Sequence, residues 1–113
     1  MIKIEIRDQA LTVLFAPWAR LFTRRSSMTV PLASIREIEH LDHPLRAATG
    51  LHAGMRMSGV AKVGAWISLR GVKRLVAARR GEPGVRIVLA DRSSGYDELI
   101  LSAPAPALAE VRR

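Results

Sequence analysis

The chain has 113 residues, 49% of them hydrophobic and 25% charged, the balance of one folded domain rather than of a disordered tail. It contains no cysteine, which excludes a disulfide framework, a zinc-thiolate centre and a thiol nucleophile, and which fits a reducing cytosol. Its 18 Lys and Arg against 10 Asp and Glu give a net charge of +8, a surplus that concentrates polyanions such as nucleic acid or anionic lipid near a surface.

Residues 2 to 6 alternate Ile2, Ile4 and Ile6 with Lys3 and Glu5, a period-2 pattern that predicts a strand with one face in a core. The MIKIEIRDQ start has no uninterrupted apolar stretch of the kind a secretory signal needs. A short turn at Asp8-Gln9-Ala10 leads to a second strand at Leu11 to Phe15, and the two predict a hairpin. The run ALTVLFAPWA at residues 10 to 19 is half the roughly 20 residues of a membrane-spanning helix. The expected location is therefore the cytoplasm, with peripheral attachment at the inner membrane surface as the alternative.

Pro17 and Trp18 end the second run, and the segment to Ser27 reads as a loop or short helical turn. A third strand at Met28-Thr29-Val30 closes on Pro31, a residue that cannot donate to a sheet ladder. Leu32, Ile35, Ile38 and Leu41 then fall three apart, which on periodicity favours a helical turn; the isoleucines favour a strand, provided a bulge lies between Ile35 and Ile38. We read the first half as a turn and the second as a strand. Residues 42 to 59, with Pro44, Gly50, Gly54 and Gly59, read as loop with at most short strands. Strand residues return from Val60 to Leu69, and Gly81-Glu82-Pro83-Gly84 is a turn before the strand VRIVLA. A second turn at 91 to 95 precedes a strand at Tyr96 to Leu101, and Pro106 opens a helix-prone terminus.

Val30-Pro31-Leu32-Ala33-Ser34-Ile35, the glycine-containing middle, VRIVLA, and Tyr96 to Ser102 running into a proline and a terminal helix resemble the bacterial PH-like domain family. The likeness is to its short single-domain actinobacterial members and spans nearly the whole chain. The resemblance implies a mainly β domain over residues 1–113. It would be a strongly bent antiparallel sheet, or partly open barrel, of about seven strands capped by a short C-terminal helix. It also implies a non-enzymatic binding or assembly module. The turn Arg7-Asp8-Gln9-Ala10 departs from inositide-binding relatives, which carry basic residues in the loop joining strands 1 and 2.

The residues offer little catalytic chemistry. None of the serines stands in a nucleophile elbow, and 50 to 56 lack the phosphate-cradling G-x-x-x-x-G-K-[ST] pattern. His40-Leu41-Asp42-His43 is the one cluster with metal-ligand character, and it lacks a well-placed third ligand. We expect no enzyme, metal or other cofactor, and no small-molecule substrate.

The candidate binding residues are basic. Residues 56 to 86 hold eight Lys or Arg against Glu82 alone, and LRGVKRLVAARR at 69 to 80 contributes Arg70, Lys73, Arg74, Arg79 and Arg80 as a candidate anion or partner surface. Fifteen of the 18 basic residues are Arg, which a composition-biased genome explains as well as a binding role does. Position between a Trp-containing strand and a turn makes this segment strand, bend at Gly71, strand, with the arginines outward. Trp18, Leu21 and Phe22 are a candidate hydrophobic anchor for a partner, or else a cap over one end of the barrel. The resulting expectation is a module that binds a protein partner or itself. The alternative is electrostatic binding of an anionic membrane or nucleic acid through residues 56 to 86.

Overall fold

The computed structural model describes residues 2–15, 27–48, 50–57, 60–91 and 95–102. The anchor residues Trp18, Leu21 and Phe22 and the expected C-terminal helix lie outside them.

The N-terminal alternation folds as the hairpin its pattern predicts. Strands β1, Lys3–Arg7, and β2, Ala10–Leu14, pair antiparallel with Ile4 opposite Val13. Asp8 and Gln9 close the turn at φ of 52° and 63°, the left-handed backbone that matches a two-residue hairpin loop to the twist of its strands. Strand β3, Ser27–Pro31, joins β2 to complete a three-stranded sheet in the order β1-β2-β3.

A single 3-10 turn at Leu32–Ser34 then gives way to β4, Ile35–Leu41, as the mixed spacing required. The register of β4 slips between Ile35 and Glu37, and this irregularity lets two isoleucines three apart pack against the same core. Residues 42 to 59 are more regular than the sequence suggested. They contain the short helix α1, Pro44–Ala47, with proline in its first turn, and the seven-residue strand β5, Leu51–Met57. Pro44 and Gly50 stand at element boundaries, while Gly54 lies inside β5.

Strands β6, Ala61–Ile67, β7, Lys73–Arg79, β8, Gly84–Leu89, and β9, Glu98–Ser102, complete a six-stranded sheet in the order β4-β8-β9-β7-β6-β5. The described residues thus hold nine strands in two sheets, where about seven in one bent sheet or barrel were expected. The sheets do not join into a closed barrel. The antiparallel expectation also needs correction at one place, because β9 inserts between β8 and β7 and runs parallel to β7. The residues 80 to 83 must therefore cross a neighbouring strand position, about 10 Å for two strand spacings, instead of closing a hairpin.

The two sheets pack face to face. Ile2, Ile4, Leu11, Val13, Phe15, Met28 and Val30 from the small sheet meet Val63, Leu75, Val85, Ile87, Leu99 and Leu101 from the large one. On the opposite face of the large sheet a second cluster gathers Trp66, Val76, Ala78 and Ile100 beneath α1. Alternate residues of β7 feed the two clusters, which explains why its four consecutive residues Leu75 to Ala78 are all buried. Gly84 permits the close seat of α1: a Cβ there would fall on the Leu101 carbonyl oxygen and lie 2.9 Å from the Pro44 ring.

Candidate functional site

The five basic residues of LRGVKRLVAARR do not converge. Arg70 lies in the β6–β7 connection, Lys73 and Arg74 open β7, and Arg79 and Arg80 stand at its other end. Six residue steps along a strand separate Lys73 from Arg79, about 20 Å. The segment is strand, bend, strand as its sequence predicts, but its charge is divided between two ends of the sheet.

Arg74 is part of the scaffold. Its Nε donates to Glu98 Oε1 at 2.8 Å, and the two side chains are only 14% and 15% exposed. Glu98 also lies 3.7 Å from Arg86 Nε, whose Nη1 donates to Glu39 Oε2 at 3.1 Å. An alternating row of charge, Glu39, Arg86, Glu98 and Arg74, thus crosses the adjacent strands β4, β8, β9 and β7. Opposite charges on neighbouring strands tie the inserted β9 to both its partners.

Arg70 and Lys73 belong to a small ordered turn. Ser68 Oγ accepts the backbone N–H groups of Arg70 and Val72, and Gly71 supplies the positive φ of 85° that the bend requires. Lys73 Nζ stands 5.2 Å from the centre of the Tyr96 ring, a cation–π placement, and its backbone N–H donates to Asp97 Oδ2. Arg70 lines a shallow cleft together with Arg36, Asp97 and Glu98, so two cations there face two carboxylates.

At the other end of β7 the balance is different. A cleft of about 400 Å³ opens between α1 and the residues that cross from β7 to β8. Arg46 from α1, Lys62 from β6, and Arg79 and Arg80 from the end of β7 line it with His43, and Glu82 is the one carboxylate among them. Lys62 Nζ donates to the Ala48 carbonyl, which fixes the C-terminal end of α1 to the sheet. Ser102 Oγ accepts the Arg79 backbone N–H, and the Arg80 N–H donates to the Val60 carbonyl, so the backbone on which both arginines stand is held at two points. Glu82 Oε1 is 3.9 Å from Arg79 Nη1, while its Oε2 is buried without a hydrogen-bond partner. Sequence reasoning singled out Arg79 and Arg80 and counted Lys62 within the basic segment 56 to 86, but missed Arg46. The available signal was Pro44 as a helix start, which would have placed Arg46 on an ordered element.

One strand edge forms a second candidate. Strand β5 pairs with β6 alone among the described residues and ends the six-stranded sheet. Leu51, 74% exposed, lies opposite Ile67, 44% exposed, and Leu69 in the following turn is 98% exposed. Neither β5 nor β6 contains an acidic residue, and Arg56 and Lys62 stand opposite each other in register.

In the His40 cluster, His40 Nε2 lies 3.4 Å from Asp42 Oδ1, while His43 lines the basic cleft. Among the described residues no group of three or more His, Asp or Glu side chains comes together, and no helix is long and apolar enough to cross a membrane. Compared with known proteins, the chain matches no family model, no curated protein and no solved structure.

Proposed function

We propose that this chain is a non-enzymatic interaction module that binds an extended, acidic segment of a partner protein as an added strand along β5. The observation that carries this reading is the character of that edge. Proteins guard exposed strand edges with charges, prolines, bulges or short strands. The β4 edge has Arg36, Glu37, Glu39 and His40 exposed and a register slip, and β3 ends in Pro31. The β5 sequence LHAGMRM is seven residues long, has no proline and carries Arg56 as its one formal charge. Such a strand is a template for main-chain pairing.

Charge selects the occupant. A second copy would bring +8 against +8, whereas an acidic strand meets no carboxylate on β5 or β6, whose charged residues are Arg56 and Lys62. Leu51, Ile67 and Leu69 supply apolar surface for alternate side chains of that strand. A PH-like identity remains part of this proposal: the hairpin start, the Val30-Pro31 strand end and two packed sheets support it, while the parallel β7–β9 pair departs from it. Polyanion binding by the whole segment 56 to 86 is the weaker reading, since its charges lie at both ends of β7.

The test uses a blocked decapeptide of alternating Glu and Val, titrated calorimetrically, beside its Lys/Val counterpart. The Glu/Val peptide should bind, and N-methylation of alternate residues should abolish binding in one of the two phases and spare it in the other, because a strand offers its N–H groups to alternate sides. Equal binding of the Lys/Val peptide, or indifference to N-methylation, would refute strand addition.

A further inference from the structure

The basic cleft beside α1 reaches the β5–β6 pair only at Lys62, which faces Arg56 in register, and calls for a ligand of its own. Arg46, Lys62, Arg79 and Arg80 reach it from three different elements and the β7–β8 crossing, with Glu82 as the one carboxylate lining it among the described residues. Like charges drawn together repel, and an anion seated among them removes that repulsion. Guanidinium groups offer paired N–H donors that fit the oxygens of a phosphate. The volume of about 400 Å³ sits at the small end of the ~300–1,000 Å³ that ligand sites occupy, which suits a metabolite-sized group.

Glu82 narrows the chemistry further. Its Oε2 is buried and has no hydrogen-bond partner, and a buried acceptor of this kind needs a donor. A bare anion brings oxygens that would oppose this carboxylate. An anion that also carries a hydroxyl brings the donor that Oε2 lacks. We propose that the cleft binds a small phosphate ester bearing a hydroxyl group, either free or as the headgroup of a lipid. The arginines hold the phosphate, and Glu82 Oε2 accepts a hydrogen bond from the hydroxyl.

Calorimetric titration of the whole chain with ribose 5-phosphate and with inorganic sulfate, a dianion that carries no O–H at neutral pH, tests this directly. Ribose 5-phosphate should bind at least about fivefold more tightly than sulfate, a ratio equal to ~1 kcal/mol. Arg46→Gln and Arg80→Gln, both at exposed positions, should each weaken it by about fivefold or more. Arg70→Gln changes net charge equally at the far end of β7 and should leave binding unchanged. Glu82→Gln should remove the preference over sulfate. Urea midpoints of all four variants check that the fold is retained. Flotation with phosphatidylglycerol vesicles against phosphatidylcholine vesicles separates the sources: binding lost in the Arg46 and Arg80 variants assigns a headgroup, and ester binding without flotation assigns a free metabolite. The proposal is overturned if neither the ester nor the phosphatidylglycerol vesicle binds at millimolar concentration, or if Arg70→Gln weakens binding as much as Arg80→Gln.

Discussion

Replacing Glu98 by Gln probes whether the charge row across the large sheet is structure or binding surface. The change keeps the size of the side chain and an oxygen that can accept from Arg74 Nε, but it removes the charge that balances two arginines. Arg74 is 14% exposed and Arg86 28% exposed, and Arg86 Nε is already buried without a hydrogen-bond partner. Exposed ion pairs contribute about 0–1 kcal/mol, whereas breaking a fully buried pair costs about 3–5 kcal/mol. This partly buried row should lie between, so the expected loss is about 2 kcal/mol. With a urea slope of roughly 1–3 kcal/mol/M, the unfolding midpoint followed by circular dichroism should fall by about 1 M. Sodium chloride at 1 M should leave most of that difference, because screening acts on solvent-exposed charges first. A paired replacement, Arg74→Met with Glu98→Leu, should recover much of the loss, as apolar pairs of similar volume often match a buried ion pair. A midpoint shift below about 0.3 M for Glu98→Gln would refute the structural role and return Arg74 to the list of binding candidates.

Other consequences are more local. Trp66→Ala should destabilise by about 3–5 kcal/mol in urea unfolding, since the 2% exposed indole fills the cluster beneath α1. Gly84→Ala should cost about 1–3 kcal/mol by overpacking against the Leu101 carbonyl and Pro44, and amide exchange should quicken in α1 before it does in the small sheet. Leu69→Ser should change stability by less than about 0.5 kcal/mol, because the leucine is 98% exposed, yet it should weaken binding of the Glu/Val peptide in calorimetry.

Local pattern was a good guide wherever one strand pairs with the next in sequence. The Ile2/Ile4 alternation, the Asp8-Gln9 turn and the Leu32 to Leu41 spacing all led to the observed elements, because hairpins and turns are decided by near neighbours. Residues 42 to 59 misled because Pro44 and Gly50 mark boundaries, Gly54 sits within a strand, and β5 is fixed by its long pairing with β6 rather than by its own weak β propensity. The insertion of β9 between β7 and β8 left no local sign. Gly81-Glu82-Pro83-Gly84 has hairpin composition, and only the later arrival of Glu98–Ser102 shows that it bridges a strand. The same crossing explains the partial view of the site. Arg79 and Arg80 were visible as a charge run, but their neighbours Arg46 and Lys62 come from elements that only the tertiary packing brings to α1 and β7.

Hydrogen exchange of the backbone amides, measured with and without the Glu/Val decapeptide, tests strand addition most directly. The account predicts that the peptide slows exchange along Leu51–Met57 while the charged edge at Ile35–Leu41 exchanges as before. Protection at β4, or around the cleft beside α1, with none along β5, would contradict it.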